Sequence, residues 1–208
     1  MAIAAIPINP VQSTSGNQFR ATRIIEDAAQ TYAQGTPIMI NTANGAIKVW
    51  DGTAGAGHLI SGISYEFAHN YASAGLGAPL AFQPIVGLGA TITFGTVPNQ
   101  SAAVNIPMGA PFTDGRAGFF LPTPDTTFSG TFGNAGSPAV PAATDVGVIY
   151  GLTLDTLGHY WYVDKSKTGA SGVLTVVGID PRYNTPPVAG ANVLFTFNAA
   201  DVSIVSGP

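Results

Sequence analysis

The sequence contains no cysteine among its 208 residues, so it has neither a disulfide framework nor a metal site built from thiolates. Charged residues are also scarce. They make up 9% of the chain, against about 25% in an ordinary soluble domain. A protein of this size normally covers its surface with charged side chains. Their scarcity predicts that much of the surface is covered by other subunits or by a partner.

Basic residues are few and dispersed. The four arginines and three lysines lie between Arg20 and Arg182 without forming a cluster, and the net charge is −4. We therefore expect no binding to nucleic acid. No apolar run approaches a length of about 20 residues, which a membrane helix needs, so no membrane association is expected. The first ten residues lack a basic segment and include two prolines, which favours synthesis in a cytoplasm without a signal peptide.

Glycine and proline are abundant, with 26 and 16 residues, and short apolar runs lie between them. From Leu59 to Phe67, apolar side chains alternate with small or polar ones, as in a strand with one buried face. Earlier in the chain, the pair Asn44-Gly45 follows an apolar run and favours a two-residue type I′ turn. We therefore predict a meander of three consecutive strands within residues 31–67.

Further apolar runs predict additional strands. They cover residues 90–94, 117–121, 128–132, 148–154, 159–163, 173–179, 193–197 and 202–205. Residues 19–25 also read as a strand, although the spacing of Ile24, Ala28 and Tyr32 leaves a helix as the alternative. Residues 133–144 are predicted to form an exposed loop. Many short strands with almost no helix predict an all-β fold, an antiparallel β-barrel or sandwich with long Gly/Pro-rich loops.

The first 18 residues differ from the rest of the chain because they combine branched apolar side chains with two prolines and carry no charge. We predict that residues 1–18 form an extended N-terminal arm that becomes ordered only against a neighbouring subunit or a shell. The side chains expected to make that contact are Ile3, Ile6, Ile8, Val11 and Phe19. Residues 19–69 and 145–208 are predicted to form the β core, and residues 70–144 an insertion or a second β lobe.

No motif for catalysis or for a cofactor is present. The glycine-rich string at 52–57 is not followed by the Gly-Lys-Ser/Thr of a phosphate loop. The three histidines, His58, His69 and His159, do not have the spacing of a metal site. We therefore predict no enzyme activity, no metal and no cofactor. Most aspartates lie in or beside turns, where their carboxylates are expected to accept hydrogen bonds from the backbone.

One aromatic cluster, around Trp161, supports a second interpretation. Trp161 and Val163 alternate with tyrosines along a predicted strand. Such a strand typically packs into a core, with the tyrosine hydroxyls at a rim or a subunit contact. A tryptophan in this position also suits stacking on a sugar ring. The alternative function is therefore glycan binding through Trp161.

Two parts of the chain contain short segments that are similar to those of a known protein family. Within residues 29–67 these are AQTYAQGTPIMI, GAIKVWDG and ISGISYE, and within residues 145–205 they are GVIYGLTLD, YVDKSKT, VGIDP and VLFTF. Both sets resemble the head decoration, or cement, proteins of tailed bacteriophages. The resemblance implies a structural protein of the virion that is assembled in the host cytoplasm and binds the outer surface of the capsid. With glycan binding through Trp161, the alternative is a virion fibre or spike component that binds host glycan.

The same resemblance implies the partners. It predicts a homotrimer that binds the major capsid protein and stabilises contacts between neighbouring capsid subunits. The low charge content agrees with this function, because a symmetric subunit packed on a shell needs little charged surface. The matching segments are patterns of strands and turns, so no contact residue of the family is assigned to a position in this chain.

Overall fold

The structure is a computed structural model. It describes residues 2–13, 16, 18–27, 30, 32–66, 68, 91–92, 104–105, 116–155, 160–182 and 187–203. Within these residues the chain forms short β-strands, with single-turn 3-10 helices at Ala143–Asp145, Gly169–Ser171 and Ala199–Asp201. The predicted all-β fold is confirmed.

The strands are numbered in chain order. They are β1 (Asn9–Ser13), β2 (Ala21–Ile25), β3 (Pro37–Ile40), β4 (Ile47–Val49), β5 (Gly62–Ser64), β6 (Thr91–Ile92), β7 (Val104–Asn105), β8 (Arg116–Phe120), β9 (Thr126–Asn134), β10 (Ser137–Pro138), β11 (Ile149–Leu154), β12 (Trp161–Asp164), β13 (Leu174–Ile179) and β14 (Asn192–Phe197). The prediction of a strand within 19–25 is confirmed by β2, and the helix alternative is wrong. The predicted hairpin of 148–154 with 159–163 is confirmed by β11 and β12.

Five strands close into a barrel in the order β9-β12-β11-β13-β14, with β14 pairing back to β9. Neighbouring strands are antiparallel, except that β12 runs parallel to β9 where Val163 lies opposite Phe132. With nine residues, β9 is long enough to pair with β1 and β10 as well. Strand β9 therefore organises this half of the molecule.

Aromatic side chains fill the barrel. The rings of Phe128 and Phe195 are stacked with centroids 6.0 Å apart, and Phe197 meets each of them edge-on at 5.4 Å. Each ring is at most 8% exposed. Full burial of a phenylalanine contributes about 1.5–3 kcal/mol, so this cluster is a main source of barrel stability.

The second sheet has the order β2-β8-β5-β3-β4, and all of its pairs are antiparallel. A β-bridge from Glu26 to Ile47 joins the end of β2 to the opposite edge strand, β4. The buried residues of this sheet's own core are Tyr32, Ile38, Ile47, Ala68, Ala117 and Phe119. A two-stranded sheet of β6 and β7 lies within residues 91–105, and β6 falls inside the strand predicted at 90–94.

The predicted meander within 31–67 is wrong in its strand order. Strand β3 lies between β4 and β5, so the third strand pairs with the first and not with the second. A side chain at Gly62 would collide with the ring of Phe119 on β8. Gly62 therefore allows β5 to fit between β3 and β8, a constraint that comes from a distant strand.

The loop between β3 and β4 also differs from the prediction. The Asn41 N–H donates to Ala46 O at 2.7 Å, which closes a loop of four residues, 42–45. Gly45 has a φ of 74°, but Asn44 does not have a positive φ. A type I′ turn needs two positive φ angles in succession, so the prediction of that turn at Asn44-Gly45 is wrong.

A turn with two positive φ angles occurs instead at Ala135-Gly136, where φ is 47° and 84°. It joins β9 to β10, and the flanking residues Asn134 and Ser137 are paired. Residues 133–144 therefore begin as a hairpin, and the prediction of a loop throughout is wrong.

Residues 116–144 contain β8 and β9, which are integral to the two main sheets, so this part of 70–144 is not an insertion or a separate lobe.

The N-terminal segment packs against its own chain. Strand β1 pairs with β9, with Asn9 opposite Ser129. Ile3 and Ile8 are each 1% exposed. The prediction that residues 1–18 become ordered only against a neighbour is therefore wrong for the described residues of this segment.

Besides the core of the second sheet, a larger hydrophobic cluster is shared by the two main sheets. The rings of Trp50, which follows β4, and Trp161, on β12, have centroids 5.3 Å apart. Ile60 forms a β-bridge with Val202, so the segment that follows β14 is fixed to the residues before β5. A strand was predicted at residues 202–205. Only residues 202 and 203 of this range are described, and Val202 forms the β-bridge.

Candidate functional site

Asp164, at the end of β12, is a buried carboxylate, 2% exposed. It accepts hydrogen bonds from Ala135 N (3.0 Å), Ser166 N (3.0 Å), Ser166 Oγ (2.7 Å), Thr153 Oγ1 (2.8 Å) and Tyr162 Oη (3.2 Å). Burial opposes ionisation of Asp164, but the hydrogen bonds outweigh it and hold the pKa of this carboxyl below its usual range. The carboxylate is therefore ionised at neutral pH and fully engaged by its neighbours.

Asp164 and Tyr162 hold the Ala135-Gly136 turn. The Ala135 N–H donates to Asp164 Oδ1, and the Gly136 N–H donates to Tyr162 Oη at 2.8 Å. The carbonyl of Gly136 accepts a hydrogen bond from Ile3 N at 3.0 Å. An alanine with positive φ is strained, so these contacts from β12 and from the N-terminal segment keep the turn in place. The function of this carboxylate is structural.

A second buried carboxylate, Asp145, lies in the 3-10 helix before β11 and is 2% exposed. Its Oδ1 accepts hydrogen bonds from Tyr150 Oη and Lys165 Nζ, both at 2.7 Å, and its Oδ2 accepts one from Ala142 N at 2.8 Å. The Lys165 ammonium also lies 5.9 Å from the centroid of the Phe132 ring. Burial opposes ionisation of Asp145, but the hydrogen bonds from Lys165, Ala142 and Tyr150 lower the pKa of its carboxyl.

Burial and the carboxylate of Asp145 together raise the pKa of Tyr150 from 10.0 to about 12. Because the folded-state pKa lies above the unfolded one, this tyrosine contributes stability that is fully present below pH 10 and is lost as the pH rises through 12. We therefore expect the free energy of unfolding, measured by urea denaturation at a series of pH values, to fall between pH 10 and about pH 12.

The matched control for this alkaline loss is Tyr150→Phe, which removes the titrating hydroxyl. Below pH 10 the variant should be less stable by about 1 kcal/mol, because one hydrogen bond is lost. Tyr65 and Tyr162 also have raised pKa values, so part of the alkaline loss should remain. A variant with the same alkaline slope as the wild-type protein would contradict the assignment to Tyr150.

Asp180 follows β13 and is fully buried. Arg182 donates to both of its carboxylate oxygens, at 3.0 and 2.7 Å, and Ser129 Oγ donates at 2.7 Å. The Arg182 guanidinium is the main reason why the pKa of Asp180 falls to about 2. Asp180 also accepts from Arg182 N, and Asp51 accepts from Thr53 N, so the predicted capping of turns by aspartates is confirmed at these two positions.

The histidines do not form a site within the described residues. His58 pairs with Asp51 through Nδ1 in the loop before β5, and both side chains are 41% exposed. His69 and His159 lie outside the described residues. Among the residues that the structure describes, no group of three or more His, Asp or Glu side chains is arranged to hold a metal ion. None of the helical turns in this part of the chain has the length and apolarity needed to traverse a bilayer.

Trp161 belongs to the core. It is 6% exposed and packs on Trp50 and beside Gly52. A ring buried in this way is not available for stacking on a sugar, so the structure gives no support to glycan binding through Trp161. Tyr162 is fully buried, and its hydroxyl contacts Gly136 and Asp164. The expectation that this hydroxyl lies at a rim or a subunit contact is therefore wrong.

The five predicted contact residues are not brought together for a partner. Ile3 and Ile8 are buried in their own chain, so their assignment to an intermolecular contact is wrong. Ile6 is 39% exposed, and Val11 and Phe19 are half-buried. Phe19 packs edge-on against Phe120 at 6.2 Å. For Ile6, Val11 and Phe19 an intermolecular contact remains a prediction.

One side of the barrel presents an uncharged surface. We call it the outer β13 face, and its side chains are Ile149, Thr175, Val177, Leu194 and Thr196. Thr175 lies opposite both Ile149 and Thr196, so the face is continuous across β11, β13 and β14. Strand alternation points these side chains away from the barrel interior. This face is the candidate interaction surface.

Val177 is the most exposed residue of the outer β13 face. The pairing of β13 with β14 shifts its register between Val176 and Gly178, which leaves Val177 as the extra residue of a β-bulge. Its side chain is 46% exposed, and that of Ile149 is 44% exposed. The sequence predicted this strand, but two adjacent valines do not reveal which one faces outward.

Comparison of the chain with protein-family models, curated proteins and solved structures found no match.

Proposed function

We propose that this protein is a structural, non-catalytic component of a tailed-phage virion that binds the outer surface of the capsid as a homotrimer. In this proposal it contacts the major capsid protein and stabilises the junctions between neighbouring capsid subunits. The observation that carries the proposal is the outer β13 face, an uncharged sheet surface with two exposed branched apolar side chains. The sequence resemblance supplies the identity of the partner.

Two further observations support an interaction protein. Exposed apolar sheet surfaces are a recurrent feature of protein contacts, and the chain has only seven basic and eleven acidic residues with which to solvate its exterior. The buried carboxylates Asp145, Asp164 and Asp180 are engaged in holding turns and neighbouring side chains. The described polar clusters therefore have a structural explanation that does not require catalysis.

The test is a single charge placed on the outer β13 face. Val177→Asp should bind shells assembled from the major capsid protein of the same virion at least about tenfold more weakly, because an unpaired charge buried in an interface costs more than about 1.4 kcal/mol. Binding is measured by co-sedimentation with purified empty shells. The fold should be retained, because the Val177 side chain points to solvent.

The matched control is Val140→Asp, which places the same charge at a side chain that is 53% exposed and lies outside the outer β13 face. It should bind shells as tightly as the wild-type protein. Equal binding by Val177→Asp would exclude this face as the contact surface, and no binding by the wild-type protein would contradict the capsid proposal itself. Light scattering at micromolar concentration tests the trimer, which a monomer that is unchanged on dilution would contradict.

A further inference from the structure

The loop between β3 and β4 carries a reactive sequence that the proposed function does not use. Asn44 is followed by Gly45, and among the asparagines of the chain it is the only one followed by glycine. Its side chain is exposed at the tip of the loop. A side chain built on Gly45 would meet no atom within 4 Å, so the space beside the Asn44-Gly45 peptide is open.

The carboxylate of Asp27, just after β2, accepts hydrogen bonds from two asparagines in and beside this loop. Asn44 Nδ2 donates to Asp27 Oδ1 at 3.1 Å, and Asn41 Nδ2 donates to Asp27 Oδ2 at 2.7 Å. The Asn44 side-chain oxygen accepts a hydrogen bond from Ala46 N at 3.0 Å. Both ends of the Asn44 amide are therefore held, one by a carboxylate from a distant strand and one by the loop backbone.

We infer that Asn44 is a site of spontaneous deamidation, and that its hydrogen bond to Asp27 limits the rate. In the reaction the backbone nitrogen of Gly45 loses its proton to solvent base and attacks Cγ of Asn44. The bond from Cγ to Nδ2 breaks and ammonia leaves, which closes a five-membered succinimide. Water then adds to one of the two ring carbonyls and opens the ring to aspartate or isoaspartate. Water is the only co-reactant, and no oxidant or reductant is needed.

The contacts explain why Asp27 restrains this step. Cγ must turn toward the Gly45 nitrogen, and this rotation breaks the hydrogen bonds of the Asn44 amide with Asp27 and Ala46. The Gly45 N–H is itself held by Asn41 O at 2.8 Å. Once formed, the product carboxylate faces the carboxylate of Asp27 in place of a donor, and like charges at this distance repel. Deamidation therefore removes one of the two asparagine contacts that hold the loop to Asp27.

The test follows the mass of the peptide that contains Asn44 while the full-length protein stands in mildly alkaline buffer. We expect this peptide to gain one mass unit with time, because asparagine is a labile residue. Asp27→Ala should accelerate the gain several-fold. The matched control, Asp51→Ala, removes an exposed aspartate from the next loop and should leave the rate unchanged.

A wild-type protein whose Asn44 peptide keeps its mass, while a synthetic peptide of the same sequence reacts, would overturn the inference. Equal rates in the Asp27→Ala and wild-type proteins would overturn the part assigned to Asp27. If Asp27→Ala does not fold, the comparison of Asn44→Asp with Asn44→Ser replaces it. The aspartate variant should melt at the lower temperature, because it mimics the product beside Asp27, and equal melting would contradict the repulsion.

Discussion

A chain lacking residues 2–8 should melt at least about 10 °C below the full-length protein, because 1 kcal/mol lowers the melting temperature by roughly 2–4 °C in a domain of this size. The deletion removes two isoleucines, Ile3 and Ile8, that are each 1% exposed. Loss of one buried isoleucine side chain costs about 2–5 kcal/mol. Both losses together take a large part of a total stability of about 5–15 kcal/mol.

The packing around the segment shows why it acts as part of the fold. A side chain at Gly133 would collide with Ile3, and one at Gly35 would collide with Pro7 and Ile8. The backbone is held as well, since Ile6 N donates to Thr131 Oγ1 at 3.1 Å. The segment therefore joins β9 of the barrel to the second sheet, and its removal exposes apolar surface on both.

Thermal melting followed by circular dichroism is the measurement, and the paired variants Ile3→Ala and Ile6→Ala provide the control. Ile6 is 39% exposed, so its replacement should change stability by no more than about 0.5 kcal/mol. Ile3→Ala should lower the melting temperature clearly. A truncated protein that melts with the wild-type protein would show that residues 2–8 are an external arm, as the sequence alone predicted.

The sequence predicted those strands in which one face is buried and the other is not. In β11, Tyr150 and Leu152 are buried, and the alternation that marks them is visible in the chain itself. The hairpin of β11 with β12 joins neighbouring segments, so its partner was also predictable. Strand β2 was also predicted from its apolar residues Ile24 and Ile25, although its side chains do not alternate between a buried and an exposed face.

Features that depend on distant partners were not predictable in this way. The prolines correctly indicated an extended N-terminal backbone, but its partner strand, β9, lies more than a hundred residues further along the chain. The strand order around β3 depends on how Gly62 fits against Phe119 of β8. Neither contact can be predicted from the residues near it in the sequence, and a single sequence does not show which strands pair with each other.

The two turns show the same limit at a smaller scale. Asn44-Gly45 has the preferred composition of a type I′ turn, yet Ala135-Gly136 has its backbone angles. Alanine is an unfavourable residue for positive φ, and the turn forms because its two amides have acceptors on β12. The capping of turns by Asp51 and Asp180 was predictable since donor and acceptor lie two residues apart. The partners of Asp145 and Asp164 were not, because several of them come from other strands.

Replacing Asp164 by alanine should destabilise the protein by about 3 kcal/mol or more, because Asp164 accepts five hydrogen bonds and each hydrogen bond to a charged group contributes about 1.5–3 kcal/mol. The groups that lose their acceptor are the backbone N–H groups of Ala135 and Ser166 and the hydroxyls of Thr153, Tyr162 and Ser166. The positive φ of Ala135 then lacks its main support. Urea unfolding at neutral pH measures the loss.

Asp164→Asn is the matched control. Its amide oxygen can still accept the hydrogen bonds from Ala135 and Ser166. Its NH2 group replaces Oδ2, and the hydroxyls of Thr153 and Tyr162 can rotate to accept a hydrogen bond from it. It should lose less than half as much stability as Asp164→Ala. A carboxyl whose folded-state pKa is lowered contributes stability that is present above the unfolded value of 3.8 and is lost as the pH falls through the folded value. The stability difference between the wild-type protein and Asp164→Ala should therefore narrow in acid. A difference that stays constant below pH 3.8 would show that the shape of the Asp164 side chain, and not its charge, supports the turn. Equal losses in the two variants at neutral pH would show instead that an amide of the same shape does not replace the carboxylate.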